Sequence, residues 1–411
     1  MTTISSMTKG FDAKRLLPPR EALERYFALV ALEPCGVECV ALESARGRVL
    51  ARRIEADDDY PTAARSAMDG FAIRSRSTPG AQRVVGDVRI GAQPQRGIAN
   101  GEAMKISTGA MLPEGADAVV PVESVREKGG EVHVEERIAP GDAVVARGAD
   151  MRAGEALLEP GRRIGGPELA LLAALGVVDV PVYRRPVVAV ISSGDELVAP
   201  SLRPGAGEVR DANRYAIAAS LEALGVQPRQ YPIVRDDEGL LEAALREALD
   251  ACDGVVVSGG SSVGEHDLTP RATASLGSPG VVVHGLRVRP GKPTMLAAVE
   301  KKPIVGLPGN PLSALMMLEA VAASIFAALA GAPPPYREVD AELASALEAP
   351  AGWTWYVPVA RDGDVVRPLA LRSFAVSLAA RASGYVVAGE KQSAFRAGER
   401  VRMRHFLCGG A

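Results

Sequence analysis

Short apolar runs alternate with longer amphipathic stretches between residues 186 and 331. The short runs predict strands at 187–191, 230–234, 254–257 and 303–307. The amphipathic stretches predict helices at 214–224, which Gly225 ends, and at 240–252. Because strands that alternate with helices form parallel sheets, this region predicts an α/β domain with a parallel sheet covered on both faces, a three-layer arrangement.

The chain before this region has a different pattern, with short Val-rich runs broken by Gly and Pro from residue 54 to 147. Residues 119–125 and 131–138 alternate apolar and polar positions around Gly129 and Gly130, which predicts a hairpin. Helices are predicted at 20–31 and at 167–175, the second with Pro167 in its first turn. We therefore expect a β domain, residues 54–147, inserted into a mixed linker domain of residues 15–53 and 148–185.

Three prolines follow Gly331 and predict a stiff linker. Beyond it, residues 337–411 have the short strands and turns of a small β domain. The expected fold class is therefore multidomain α/β plus β, with the α/β domain at 186–331. At about 100–200 residues per domain, a chain of 411 residues suits two to four domains.

One apolar stretch, residues 312–330, is long enough to raise the question of a membrane span. Glu319 interrupts it, a Gly-Asn-Pro turn precedes it and Gly331 ends it. A central carboxylate is costly in a bilayer, so the pattern favours a buried helix. The first twenty residues are polar and resemble no signal peptide.

Composition narrows the function classes. The chain has 47 basic and 50 acidic residues and a net charge of −3, which gives no support for a nucleic-acid surface. A bound anion must therefore be held by local dipoles and a few placed cations. Of the four cysteines only Cys35 and Cys39 are close, and no His is near them, which disfavours a zinc site or a disulfide framework. Reduced cytosolic thiols fit better.

Three polar, glycine-rich turns directly follow predicted strands of the α/β domain. In such sheets, ligands bind beyond the carboxyl ends of the strands, where glycines let backbone N–H groups face an anion. Together the turns predict a phosphate site, although ordinary strand-to-helix turns favour the same residue types. None has the pattern of a P-loop NTPase or a dinucleotide dehydrogenase. The candidate binding residues are Ser192, Ser193, Gly194, Ser258, Gly259, Gly260, Ser261, Ser262, Gly264, Pro308, Gly309 and Asn310.

Charged residues accompany these turns. Arg289 and Lys292 flank a Pro-Gly turn whose prolines restrict the backbone. Carboxylates also recur beside the turns, and Mg²⁺ is typically held by one or two carboxylates together with substrate phosphates. Glu196, Asp236 and Asp267 are the candidate magnesium ligands. The alternative is helix capping, because Asp236 and Asp267 each precede a predicted helix.

In the inserted domain, two compact turns contain Asp69 and Thr108. By itself Asp69 is a common turn residue, and Thr108 could donate to a ligand or cap a turn.

In order and spacing, eight segments between residues 15 and 407 resemble the MoeA family and the gephyrin E domain: 66–72, 107–118, 146–155, 192–197, 235–237, 258–267, 289–293 and 306–311. The most specific are Ser-Ala-Met-Asp-Gly at 66–70, the Ser-Gly-Gly turn that runs from 258 to Asp267, and Gly-Leu-Pro-Gly-Asn-Pro at 306–311. The resemblance implies a molybdopterin-binding type of α/β fold, a barrel-like C-terminal domain and an elongated cytoplasmic homodimer.

The implied reaction is insertion of molybdate into adenylylated molybdopterin, with Mg²⁺ as cofactor and AMP as a product. The implied site lies between the α/β domain of one subunit and the inserted domain of the other. The resemblance assigns catalysis to Asp69, Thr108, Asp150, Glu196, Asp236, Asp267 and Arg289. Substrate binding falls to Arg147, Lys292 and Ser373 together with the turn residues. Arg289 departs from the usual family Lys, and the segment from Trp353 to Pro358 lacks the family's Arg residues.

Two other functions remain open at this point. A molybdopterin adenylyltransferase shares the α/β fold, but such an enzyme resembles the α/β block alone. A non-catalytic molybdopterin-binding or scaffold protein is the second alternative. The expected partners are adenylylated molybdopterin, molybdate and a second copy of the chain, with contact to the adenylyltransferase and cofactor-accepting enzymes, and with neither nucleic acid nor membrane.

Overall fold

A computed structural model describes residues 16–259, 268–369, 372–389 and 392–408. The described chain divides into two compact units. The first contains residues 16–51, 161–172 and 177–408, and the second contains Arg52–Pro160 and Ala173–Gly176.

The described strands, numbered in chain order, are β1 Val37–Ala41, β2 Ile54–Glu55, β3 Arg65–Ser66, β4 Gly70–Ile73, β5 Gly80–Val88, β6 Glu102–Ile106, β7 Ala118–Pro121, β8 Val125–Lys128, β9 Glu131–Val134, β10 Val144–Val145, β11 Ala156–Leu158, β12 Asp179–Tyr183, β13 Val187–Ser193, β14 Leu197–Val198, β15 Val209–Arg210, β16 Gln227–Gln230, β17 Gly254–Gly259, β18 Pro279–His284, β19 Val288–Arg289, β20 Met295–Val299, β21 Lys302–Leu307, β22 Glu338–Leu343, β23 Leu347–Glu348, β24 Thr354–Asp362, β25 Val365–Pro368, β26 Gly384–Ala388, β27 Ala394–Phe395 and β28 Arg400–His405.

The described α-helices are α1 Pro19–Leu29, α2 Gly166–Ala174, α3 Asn213–Ala223, α4 Glu238–Ala251, α5 Leu268–Ala274, α6 Pro311–Met317, α7 Ala323–Leu329 and α8 Val376–Arg381. A π-helical turn, Leu318–Ala322, joins α6 to α7.

The α/β sheet of the first unit has the strand order β16-β13-β17-β21-β20-β18. The first four strands are parallel, whereas β20 and β18 are antiparallel to their neighbours. The parallel core was predicted and is confirmed. The antiparallel edge was not predicted, because residues 277–299 form a strand pair with no helix between its members.

Alternate side chains of the central strands pack on opposite faces of this sheet. Val188 and Val190 pack with α1, α3, α6 and α7, whereas Ala189 and Ile191 pack with α4 and α5. The sheet is therefore the middle of three layers, as predicted. One strand boundary was wrong: β16 ends at Gln230, and of residues 231–234 only Val234 forms a bridge, with Ser193.

The C-terminal part of the first unit is a closed barrel of five strands. The order β24-β25-β22-β28-β26 returns to β24 through pairing of β26 with β24. This agrees with the predicted barrel-like domain. One further strand, β19, lies in the chain between the two edge strands β18 and β20 and pairs with the barrel strand β24.

The second unit contains a sheet of order β7-β4-β6-β5-β9-β8 and two short pairs, β10-β3 and β11-β2. The predicted hairpin around Gly129 and Gly130 is formed by β8 and β9. Its first strand begins only at Val125, because residues 118–121 pair with β4 instead. The alternation of apolar and polar positions continues from β7 into β8, so it does not show where one strand ends and the other begins.

The helical run Pro311–Leu329 is the one described segment long and apolar enough to cross a membrane. The structure buries 78% of its most apolar 18-residue window. It packs in the α/β core, so the prediction of a buried helix is confirmed.

Glu319 lies in the π-helical turn of this run and is fully buried. Ser220 Oγ donates to its Oε1 at 3.0 Å, and the Leu407 backbone N–H donates to its Oε2 at 2.9 Å. Burial raises the pKa of the Glu319 carboxyl to about 7, while the two hydrogen bonds and Arg404 oppose this shift. The side chain thus connects α3, the core helix and the C-terminal segment.

The pH dependence of the melting temperature of the Glu319→Gln variant tests the role of this buried carboxyl. Because the folded-state pKa of about 7 lies above the ordinary value of 4.5, the contribution of this carboxyl to the stability of the wild type is fully present below pH 4.5 and is lost as the pH rises to about 7. The glutamine amide does not titrate. The variant therefore does not undergo the decrease in the free energy of unfolding, up to about 3 kcal/mol, that titration of Glu319 causes in the wild type. We expect its melting temperature to rise relative to wild type between pH 5 and pH 8. Parallel pH profiles, as for the exposed control Glu43→Gln, would contradict the prediction.

Candidate active site

The carboxyl ends of three neighbouring parallel strands meet at one edge of the α/β sheet. Ser192 of β13 is in register with Ser258 of β17, which is in register with Leu307 of β21. The three predicted turns therefore begin side by side, as the sequence indicated. The hydroxyls of Ser192 and Ser258 are buried and have no hydrogen-bond partner among the described residues.

Gly259 is required where β17 ends. Its φ is +104°, and a Cβ there would overlap the carbonyl oxygen of Ser193. Only glycine allows this conformation together with so close an approach of the two strands. The close approach brings the carboxyl end of β17 next to the carboxyl end of β13.

A cavity of about 870 Å³ opens at this edge. Its walls include the β13 turn, the start of β17's turn and the Gly-Asn-Pro turn that opens α6. The sequence-predicted residues that line it are Ser193, Gly194, Glu196, Asp236, Gly259, Gly309 and Asn310. We call this space the first cavity.

Asp236 is held toward the β13 turn. Ser193 Oγ donates to its Oδ1 at 3.2 Å, and the Asp236 backbone N–H donates to Asp195 Oδ1 at 3.3 Å. The residue that caps α4 is Asp237, whose Oδ1 accepts the Leu240 N–H at 2.8 Å. The capping alternative for Asp236 is therefore wrong, and its carboxylate is available to the cavity.

The first cavity offers Glu196 and Asp236 as oxygen ligands. Across residues 16–259 and the later described segments, no group of three or more His, Cys, Asp or Glu side chains is arranged to hold a metal. Two carboxylates fit Mg²⁺, which keeps several waters and takes its remaining ligands from substrate phosphates. The chemistry of the described residues is thus compatible with magnesium bound together with a phosphorylated ligand.

A second cavity of about 290 Å³ shares Gly309 and Asn310 with the first. Its lining includes Arg289, Lys292 and Ser373, together with Pro308. Burial lowers the pKa of Lys292, as expected for a cation partly removed from water. Two cations at one small cavity suit a tetrahedral oxyanion.

Trp355 does not line the second cavity but contacts Arg289, which does, and the sequence did not reveal this contact. The guanidinium carbon of Arg289 lies 4.8 Å from the centre of the Trp355 ring. Parallel pairing of β19 with β24 places the two residues in register. The contact joins residues 66 positions apart in the sequence, so no local pattern could indicate it.

In the second unit, the structure brings Asp69 and Thr108 together. The Thr108 backbone N–H donates to Asp69 Oδ1 at 2.8 Å, and both residues are exposed. The carboxylate thus has one oxygen fixed by the neighbouring turn and another with no described hydrogen-bond donor.

Arg147 and Asp150 belong to a different part of the second unit. Arg147 pairs with Asp59 at 2.8 Å and with Asp58 at 3.4 Å, while the Asp150 backbone N–H donates to the Tyr60 carbonyl. A hydrogen bond from the Ala153 N–H, with support from Arg147, lowers the pKa of Asp59. The antiparallel β3–β10 pair places Arg147 at the end away from Asp69.

Comparison with known proteins identifies the family. The model of the MoeA N-terminal region, domains I and II, matches residues 17–176, and a probable molybdopterin-binding domain matches residues 189–328. A molybdopterin molybdenumtransferase of Haemophilus influenzae is 34% identical over 301 residues, which cover 72% of this chain and 74% of the relative. The chain belongs to the MoeA family.

Two further MoeA-family matches agree with this. A Nostoc molybdopterin molybdenumtransferase is 36% identical over 289 residues, which cover 68% of this chain and 66% of the relative. The crystal structure of a MoeA molybdopterin biosynthesis protein from Pyrococcus horikoshii superposes with a TM-score of 0.81 at 33% identity, covering 95% of this chain and 99% of that one. The fold is therefore shared over nearly the whole length.

Several predicted site residues belong to the segment from residue 260 to residue 267. Gly260, Ser261, Ser262, Gly264 and Asp267, with Glu265 beside them, lie outside the described residues. The third predicted magnesium ligand, Asp267, therefore stays a prediction.

Trp355→Leu tests whether the tryptophan positions Arg289. A cation–π contact contributes about 0.5–2 kcal/mol, so we expect the affinity for a tetrahedral oxyanion such as molybdate to fall several-fold in calorimetry. Trp355→Phe is the matched control, since it keeps an aromatic face and removes an indole N–H that has no described partner. Wild-type affinity in the leucine variant would show that Arg289 needs no such support.

Proposed function

We propose that this MoeA-family protein is a molybdopterin molybdenumtransferase that inserts molybdate into adenylylated molybdopterin and releases AMP. The observation that carries the proposal is the pair of adjoining cavities at the carboxyl edge of the sheet. One presents carboxylates and glycine-rich turns, and the other presents Arg289 and Lys292. The names of the relatives, molybdopterin molybdenumtransferases, agree with it.

The division of charge between the cavities matches the two reactants. Adenylylated molybdopterin carries a phosphate anhydride, which suits the first cavity with its N–H groups and hydroxyls. Molybdate is a dianion, which suits the cations of the second cavity. Both cavities share Gly309 and Asn310. The two reactants would therefore bind on either side of this turn, with only its backbone between them.

The roles of the residues follow from this placement. Asp236 and Glu196, with Asp267, would hold Mg²⁺, which when bound offsets negative charge on the phosphates as the anhydride breaks. Arg289 and Lys292 hold the molybdate and offset its charge, with Ser373 as a further binding group. Ser193 fixes one oxygen of Asp236 and so leaves the other free to bind.

The inserted domain contributes Asp69, Thr108, Arg147 and Asp150 in this proposal. Asp69 is the strongest of these, since Thr108 fixes one of its oxygens and the other is unpaired among the described contacts. We further propose a cytoplasmic homodimer that exchanges its substrate and product with the adenylyltransferase and cofactor-accepting enzymes.

The alternatives are less well supported. An adenylyltransferase would need only the α/β sheet, whereas this chain adds a closed barrel and an inserted β sheet. A binding or scaffold protein would have no need of carboxylates directed at the first cavity. Assays distinguish these alternatives from the proposed function. An adenylyltransferase would turn over molybdopterin with ATP, whereas a binding or scaffold protein would bind adenylylated molybdopterin without releasing AMP.

Asp236→Asn provides the sharpest test of the proposal. We expect wild-type protein to release AMP from adenylylated molybdopterin only with molybdate and Mg²⁺, and the variant to lose this activity at least about tenfold. Its melting temperature should be unchanged, because Asp236 does not cap a helix.

Asp237→Asn is the matched control, since asparagine also caps helices and the residue is the α4 cap. It should keep both activity and stability, whereas Asp237→Ala should lower only the melting temperature. Wild-type magnesium dependence in Asp236→Asn would refute the metal role, and an absence of molybdate-dependent AMP release in the wild type would refute the proposed function.

The homodimer is tested by mass. We expect light scattering at micromolar concentration to give twice the mass of the chain, which is 42.8 kDa. A monomeric mass would contradict the assembly without affecting the assignment of the two cavities.

A further inference from the structure

Trp353 is a buried residue of the second cavity. It lines this cavity and is 7% exposed. A buried tryptophan usually has an acceptor for its indole N–H, because a buried donor without a partner costs free energy. Among the residues that the structure describes, no group accepts a hydrogen bond from this N–H. The donor is therefore available to a ligand.

The second tryptophan of the chain differs in this respect. The indole nitrogen of Trp355 is fully enclosed by the protein and has no described partner, whereas that of Trp353 is not enclosed in this way. A group the size of a water molecule can therefore reach the nitrogen of Trp353 but not that of Trp355. Of the two residues, only Trp353 lines the second cavity.

The backbone around Trp353 is held beside the strand that contains Arg289. The Thr354 N–H donates to the Arg287 carbonyl at 3.0 Å. Thr354 begins β24 and is in register with Val288 of β19. Trp353 therefore lies at the start of the β19–β24 pair, and this pairing places its side chain and that of Arg289 at the same cavity.

The charge of the second cavity suits a dianion. Its described lining contains the cations Arg289 and Lys292 and contains neither Asp nor Glu. Two positive charges match the charge of a tetrahedral dianion such as molybdate, and every oxygen of such an anion can accept a hydrogen bond. The indole N–H is a donor without charge. It can therefore add a hydrogen bond to the anion while the charges of cavity and ligand stay balanced.

We propose that the indole N–H of Trp353 points into the second cavity and donates a hydrogen bond to the tetrahedral dianion that binds there. Trp353 is thus a neutral binding residue that acts beside the two cations. The inference deepens the proposed function and rests on it for the identity of the anion, because molybdate is the reactant assigned to this cavity.

Trp353→Phe removes the N–H and keeps an aromatic ring. We expect its affinity for molybdate, measured by calorimetry on the full chain without nucleotide, to fall about tenfold, as is usual when one hydrogen bond to a charged group is lost. Because the indole is neutral, the factor should be the same at low and at high salt. Lys292→Gln is the comparison variant. It removes a cation, so its loss of affinity should be larger at low salt, where charges are less screened.

A second measurement observes Trp353 directly. The chain has two tryptophans, so the Trp355→Phe variant retains Trp353 as its one fluorescent indole. We expect saturating molybdate to change the emission of this variant, because a hydrogen bond to an anion changes the surroundings of the indole ring. This measurement does not depend on whether Trp353→Phe folds.

The outcomes separate the inference from the proposed function. Unchanged molybdate affinity in Trp353→Phe, unchanged emission in Trp355→Phe, or no binding of molybdate by the wild type would overturn the inference. A loss in Trp353→Phe that is larger at low salt would also overturn it, because Trp353 would then act only by placing the cations. A salt-independent loss, without molybdate-dependent AMP release by the wild type, would support the role of Trp353 and refute the proposed function.

Discussion

The candidate site depends on the parallel pairing of β13, β17 and β21. Parallel strands that are neighbours in a sheet end at the same edge, so segments far apart in sequence, with Gly194, Gly259 and Gly309 among them, line one cavity. The pairing is stabilised by side chains that are buried on both faces, and at its end Gly259 faces the backbone of Ser193 with no room for a Cβ. Any change that separates β13 from β17 would therefore move the residues of the site apart, even if none of those residues were itself replaced.

The charge at this edge of the sheet depends on a few local residues and not on the net charge of the protein. The net charge is −3, yet the second cavity holds two cations while the first holds carboxylates. The barrel contributes to this division, because β24 carries the Trp355 ring on which Arg289 rests. A chain with a nearly neutral composition can therefore place two cavities with differently charged linings side by side.

The core helical run connects the site to the end of the chain. Its first turn binds the Ser373 carbonyl, and its π-helical turn presents Glu319 to the Leu407 N–H. Both contacts join a barrel segment to the α/β domain by hydrogen bonds to backbone groups. The residues after the barrel strands are thus held by the same helix that opens at Asn310, which couples the geometry of the C-terminal part to that of the shared turn.

Much of this protein was determined by local sequence. The apolar periods predicted the parallel strands and their helices, and the glycine-rich turns predicted the sheet edge at which the first cavity opens, because both are properties of a few consecutive residues. Tertiary structure alone decided the antiparallel edge of the sheet, the strand partner of residues 118–121, and the cap of α4, where Asp237 and not Asp236 fills that role. It also decided the contact between Trp355 and Arg289. All of these features depend on pairing between segments that are far apart in the sequence. A local pattern does not specify which of the remote segments will be the partner.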